Sequence, residues 1–140
     1  MIDGVDCINV YSRGKLPLGR ELSNFAYTPF KWEGIHFASV EAWWYFRQCL
    51  DYSLCPLYGY NAKREGSQLV KGKEREAPSQ EELLQIYWLK VEATKGLEER
   101  LSGSILPFDH FYTYGNKIII PRHRWTGLLW NDVVRTIKGN

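Results

Sequence analysis

Rings dominate the apolar inventory of this chain. Six Trp, nine Tyr and six Phe make up 15% of its 140 residues, against a single Met. Aromatic side chains are large and stiff, so a core built from them accepts few arrangements. Used otherwise, many rings line a slot for a flat ligand. The length predicts one domain over residues 1–140 and leaves no room for a second sizeable core. A hydrophobic fraction of 44% and a charged fraction of 24% exclude disordered and fibrous architectures.

Lys and Arg number 18 against 16 Asp and Glu, a formal net charge of +2. The positive excess lies in residues 101–140, which carry five basic and two acidic groups. That suits a phosphate-bearing ligand and is too small for a strong general nucleic-acid binder. Cys7, Cys49 and Cys55 are odd in number and form no CxxC pair, so free thiols are expected. The start of the chain lacks the basic and apolar regions of a signal peptide, and no stretch approaches 18 apolar residues. A cytoplasmic protein without a membrane partner is expected.

Cys7–Tyr11 alternates as a strand, and Ser12–Arg20 reads as a loop whose Arg13, Lys15 and Arg20 suit an anion. Phe30–Trp32 and Ile35–Phe37, joined by Glu33-Gly34, predict a hairpin. From Ser39, a natural N-cap, helical spacing predicts a helix to about Asp51, with Trp43, Phe46 and Leu50 on one face and Glu41, Trp44, Tyr45 and Gln48 on the neighbouring strip. A further helix is expected from Tyr58 to about Val70, then a linker over 71–78. Ser79 and Glu82 form a capping box that opens a helix whose buried side is marked by Leu83, Leu84, Tyr87, Val91 and Leu101. Lys117–Pro121 reads as a strand and Arg122–Trp125 as a basic aromatic loop. A last helix starts at Thr126 or Gly127 and turns Leu129, Trp130, Val133, Val134 and Ile137 inward. The fold class is α+β, mainly helical with a few short strands.

Phosphate-loop, dinucleotide, zinc-protease, nucleophile-elbow and EF-hand signatures are all missing, and His36, His110 and His123 are too scattered for a ligand cluster. No metal and no cofactor is called for. Among the carboxylates, Glu74, Glu76, Glu81, Glu82, Glu92, Glu98 and Glu99 sit in charge-rich, solvent-facing contexts. Glu41 and Asp109 stand apart, because each is set among rings. A carboxylate desolvated by rings has its pKa pushed upward and becomes usable as an acid, a base or a partner for a developing cation. Blander readings stand against this, and for the two tryptophans the blander one is favoured. Glu41 would serve its own helix dipole, Asp109 would bond backbone amides after Pro107, and Trp44 and Trp88 would be core. Taken together, a carboxylate, a flat slot and nearby cations suit cleavage of an N-glycosidic bond through a cation-like ribosyl centre.

Arg20-Glu21-Leu22-Ser23-Asn24-Phe25, then Phe30 to Phe37 leading into Ala38-Ser39-Val40-Glu41, then Asp109-His110-Phe111-Tyr112 before Gly115, and a Gly127-Leu128-Leu129 helix ending near Arg135 resemble the NADAR family, also called YbiA-like. The similarity spans nearly the whole chain, and its most specific parts are the LSNF element and the SVE helix start. The resemblance implies a small α+β domain linked to ADP-ribose and NAD metabolism. It also implies an N-glycosidase, an ADP-ribosyl hydrolase whose substrate is an ADP-ribosylated guanine base or a phosphoribosylated intermediate of riboflavin synthesis. By matching positions it implies Glu41 as catalytic carboxylate, Asp109 as second acid, Asn24 and Arg20 on ribose and phosphate, Trp88 as the site aromatic, and Lys63 as a softer match. Where the family usually has a His after SVE and a Lys seven residues after the Glu, this chain has Ala42 and Gln48, and Arg124 stands at the position of an Asn.

The expected site therefore comprises Glu41 and Asp109 as catalytic carboxylates, with Arg20, Asn24, Trp44, Gln48, Lys63, Trp88 and Tyr112 binding a nucleotide-like small molecule or an ADP-ribosylated nucleic acid. Tyr45 is grouped with the rings around the carboxylates, while Trp43, Phe46, Tyr87, Trp130 and Phe30 are assigned to packing. Two other readings stay open: a domain that binds or sequesters ADP-ribose or NAD-derived nucleotides without turnover, and a single-stranded nucleic-acid binder.

Overall fold

In chain order the elements are β1 (Ile8–Asn9), α1 (Pro17–Leu22), β2 (Phe30–Trp32), β3 (Ile35–Phe37), α2 (Val40–Cys49), a 3-10 turn (Tyr52–Leu54), α3 (Gly59–Leu69), α4 (Gln80–Ala93), α5 (Leu97–Ser102), β4 (Phe108–Asp109), β5 (Tyr112–Tyr114), β6 (Lys117–Ile119) and α6 (Trp125–Ile137). The computed structural model describes residues 1–73 and 75–139, so the reading of Glu74 as a solvated carboxylate lies outside the described residues. Helices with a few short strands make a small α+β fold, the class expected from sequence. The chain divides into two compact units, Asn24–Lys95 and the pair of segments Met1–Ser23 and Gly96 onward.

In the unit Asn24–Lys95, β2 and β3 form an antiparallel hairpin with Phe30 opposite Phe37 and Trp32 opposite Ile35. Both turn residues, Glu33 and Gly34, have positive φ, at 48° and 80°. That conformation matches the twist of the flanking strands, which is why a turn ending in Gly was a usable signal. The hairpin feeds a cluster of rings: Phe30 stacks on Phe37 at 5.7 Å, Phe37 meets Phe46 edge-on at 5.2 Å, and Trp32 meets Trp43 edge-on at 6.0 Å. Trp43, Phe37 and Phe46 are fully buried, each side chain contributing about 2–3 kcal/mol by leaving water.

Ser39 caps α2 as predicted. Its Oγ accepts from the Ala42 amide at 3.1 Å, and its hydroxyl donates to the Leu57 carbonyl at 2.9 Å. The helix stops at Cys49, short of Asp51, because Leu50 turns into the left-handed region at φ 58°. This corrects the placement of Leu50 beside Trp43 and Phe46: at the C-cap its side chain leaves the buried face and is exposed. In α3, Gly66 is buried against the Tyr45 ring, so close that a Cβ there would overlap the ring's Cγ.

The capping box of α4 is formed, with Ser79 and Glu82 each accepting from the other's amide. Glu82 is not simply solvated, since Arg47 also donates to both its oxygens, at 2.7 and 3.1 Å. The buried side of α4 is Leu83, Ile86, Tyr87, Lys90 and Val91. Leu101 does not extend it. The helix ends at Ala93, Gly96 adopts φ 79°, and Leu101 is a core residue of the separate helix α5.

In the other unit β1 runs parallel to β4, Ile8 opposite Phe108 and Asn9 opposite Asp109. The Asn9 side chain extends this pairing: Nδ2 donates to the Phe111 carbonyl at 2.9 Å and Oδ1 accepts from the Phe111 amide at 3.0 Å. Part of the expected 12–20 loop is the helix α1, which starts at Pro17, where a fixed φ and a missing N–H are no handicap. Gly19 lets that helix touch the Asn9 carbonyl. Asn131 of α6 brackets Phe108, accepting from its amide at 2.8 Å and donating to its carbonyl at 3.0 Å. The helix begins one residue earlier than predicted and buries Thr126, Gly127, Leu129, Trp130 and Val133. Strand β5 was not foreseen; it pairs antiparallel with β6, Tyr112 opposite Ile119 and Tyr114 opposite Lys117. Among the described residues no helix is long and apolar enough to cross a membrane.

Candidate functional site

Glu41 occupies the first turn of α2 because Ser39 starts the helix two residues before it. Its amide, one of the orphan donors of a helix start, donates to the Asn24 carbonyl at 2.9 Å. The LSNF element and the SVE helix start are thereby joined through one backbone bond. As a residue Glu41 is half-buried, but its carboxyl group is surrounded by protein. Among the described residues that carboxylate accepts no hydrogen bond and forms no ion pair. Burial pushes its pKa up to about 7, with the charge of Lys63 on α3 acting in the opposite direction. At neutral pH it therefore exchanges a proton readily, the condition under which a carboxyl group serves as either acid or base.

Asn24 is held at its side chain as well. The Tyr87 hydroxyl on α4 donates to Asn24 Oδ1 at 3.2 Å, which turns the amide nitrogen away from Tyr87. Trp44 lies one turn after Glu41 and is half-buried, as is Trp88 on α4. Gln48 turns onto its own helix, its Nε2 donating to the Trp44 carbonyl at 3.1 Å. Lys63 is exposed. The Tyr45 ring, on the same helix as Glu41, lies against Gly66 of α3.

Arg20, Asp109 and Tyr112 belong to the other unit. Arg124 clamps Asp109 with two parallel bonds, Nε to Oδ1 at 2.7 Å and Nη2 to Oδ2 at 2.8 Å, and the His110 amide donates to Oδ1 at 2.7 Å. Rings around Asp109 would by themselves raise this carboxyl. Burial does act upward, but the Arg124 bonds, the His110 amide and the Arg124 charge outweigh it and hold Asp109 below the usual carboxylate range. The milder reading, a carboxylate bonding a backbone amide after Pro107, describes part of what is seen. Arg20 Nη1 donates to the Gly14 and Lys15 carbonyls at 2.7 and 2.9 Å and so braces the loop ahead of α1. Tyr112 packs between Tyr11 at 5.2 Å and His110 at 5.4 Å. His110 Nδ1 lies 2.6 Å from the Val10 carbonyl, and burial pushes the His110 pKa down.

Three residues have roles that their local sequence does not announce. Tyr87 counted only as packing, yet its hydroxyl orients Asn24. Lys90 is fully buried, one turn beyond Tyr87 on the inner side of α4. The helical spacing of Leu83, Tyr87 and Lys90 was the available signal for it. Arg124, read as part of a basic loop, is the partner of Asp109. Among the described residues no group of three His, Cys, Asp or Glu side chains is placed to hold a metal ion, and the three cysteines are free thiols. Comparison with protein-family models, curated proteins and solved structures gives no match.

Proposed function

We propose that the protein is an N-glycosidase of NADAR type that hydrolyses an N-ribosylated substrate. The observation that carries this reading is Glu41: a carboxyl group at a helix start, desolvated to a pKa of about 7, with Lys63 close enough to influence it. Departure of a base from C1 of the ribose leaves positive charge on that carbon and the ring oxygen. The ionised Glu41 carboxylate stabilises that charge or takes a proton from the attacking water, and burial makes its field strong. Asn24, positioned by Tyr87, offers amide hydrogens to ribose hydroxyls. Trp44 and Trp88 give the base apolar faces, and Lys63 neutralises phosphate. The backbone bond between Asn24 and Glu41 supports the resemblance, since it joins the two stretches on which the likeness is most specific.

The substrate class is an ADP-ribosylated guanine base or a phosphoribosylated precursor of riboflavin. Chromatography of each after incubation tests this. Wild-type protein should release the free base, and Glu41→Gln should lose at least about a hundredfold in rate, the range expected for a positioned acid or base. Full activity in Glu41→Gln would sink the mechanism.

A second reading is favoured by Asp109, whose oxygens are committed to Arg124 and His110: a domain that binds ADP-ribose or a related nucleotide without turnover. Calorimetry showing tight binding, with the ligand recovered intact after long incubation, would select it.

A further inference from the structure

The β5–β6 hairpin is built unlike the rest of the chain. Tyr114 is 60% exposed, and Ile118, Ile119 and Ile120 are 46%, 43% and 50% exposed. Their register puts Thr113 and Ile118 on one face and Tyr112, Tyr114, Lys117 and Ile119 on the other, with Ile120 continuing the face of Ile118. Apolar side chains therefore meet solvent on both faces of a ribbon that has only two strands, so each strand keeps an edge with no neighbouring strand among the described residues. β-branched residues beside an open edge make a template for another strand.

Charge indicates what kind of strand. No acidic residue occurs between Asp109 and Asp132. Those two flanking acids are occupied, Asp109 by Arg124 and Asp132 by Arg135 at 2.9 Å. Lys117 and Arg122 stand at the two ends of the isoleucine run, both exposed, and neither enters an ion pair among the described residues. We propose that this hairpin is a docking edge for an extended acidic polypeptide segment, which adds to β6 as a third strand and sets carboxylates against Lys117 and Arg122. A second copy is a poor occupant. Antiparallel self-pairing about Ile119 brings position 117 opposite 121, crowding Lys117 against the neighbour's Arg122 at a proline that has no N–H to give. A lipid surface fits no better, because the turn Gly115-Asn116 and Lys117 would have to lead into the apolar layer.

Amide-resolved NMR titration of the whole protein tests this with a capped peptide of alternating Glu and Val and its Lys-Val counterpart. The acidic peptide should shift amides of residues 112–120 and bind at least about tenfold more tightly than the basic one. The double variant K117E/R122E, its other amides unmoved, should reverse that order. Equal affinity for both peptides, shifts confined to other regions, or no binding would overturn the proposal. So would a dimer that broadens the same amides without peptide, or tighter binding of a thymidine oligonucleotide at the hairpin.

Discussion

The Tyr87 hydroxyl donates to Asn24 Oδ1, and the carbonyl of the same Asn24 accepts the amide of Glu41. A buried phenol thus holds the segment on which the Glu41 helix begins. Tyr87→Phe keeps the ring and removes the hydroxyl that makes this bond, so stability should fall by about 1 kcal/mol. Under the glycosidase reading, kcat should fall about tenfold while KM changes little, because the loss is of positioning at the reacting centre. Wild-type stability and kcat in Tyr87→Phe, with a loss only in Tyr87→Ala, would assign Tyr87 to packing alone.

Glu41 makes stability depend on pH in an unusual direction. Its folded pKa of about 7 lies above the ordinary 4.5, so the folded state holds the proton more tightly than the unfolded chain. Stability is then unaffected by Glu41 below about pH 4.5 and declines as pH rises through 7. Glu41→Gln, which mimics the protonated form, should match wild type near pH 4.5 and exceed it by about 2 kcal/mol at pH 8.5 in urea unfolding. Because the ionised form is the one that stabilises a ribosyl cation, kcat/KM should climb with an apparent pKa near 7. A profile that falls through that range would make Glu41 a proton donor instead.

The Asp109–Arg124 clamp has the opposite sign. A carboxyl held below its ordinary 3.8 stabilises the fold above that value, and the contribution is lost as pH falls through the lower folded pKa. Arg124→Gln should cost about 1–2 kcal/mol at pH 7, allowing for the solvent that reaches Arg124. The difference from wild type should shrink below pH 3.8. A variant as stable as wild type at pH 7 would show the clamp to be energetically neutral.

Helix propensity favours Ala over Gly by about 1 kcal/mol, yet Gly66→Ala should destabilise the protein by about 2–4 kcal/mol. The added Cβ would meet the root of the Tyr45 ring, which cannot swing aside as a flexible tip would. Gly34→Ala is the contrast: its Cβ would meet nothing, and only the positive φ resists it, at about 1 kcal/mol. Chemical unfolding of the two variants side by side distinguishes crowding from backbone strain.

What the chain disclosed in advance follows from how local each signal is. Ser39, the Ser79–Glu82 box and the Glu33-Gly34 turn act within four residues, and all three formed where expected. α1 was hidden because Pro17 and Gly19 read as loop residues, although Pro suits a helix start and Gly19 is required by the Asn9 carbonyl. Two-residue strands such as β4 are too short to show a period. The desolvation of Glu41 was legible in its ring-rich neighbourhood, and the same argument gave the wrong sign for Asp109. Its partner is fifteen residues away, and ion pairing is decided by tertiary placement that neighbours in sequence do not reveal.

Ile8 sits opposite Phe108, so β1 is completed by β4, whose residues are made much later. On a ribosome adding about 5–20 residues per second, Ile8 emerges several seconds before its partner exists. The stretch Asn24–Lys95 is by contrast contiguous in sequence and forms one compact unit. A chain that terminates before Phe108 therefore loses β1 as a strand even though every residue of β1 is present.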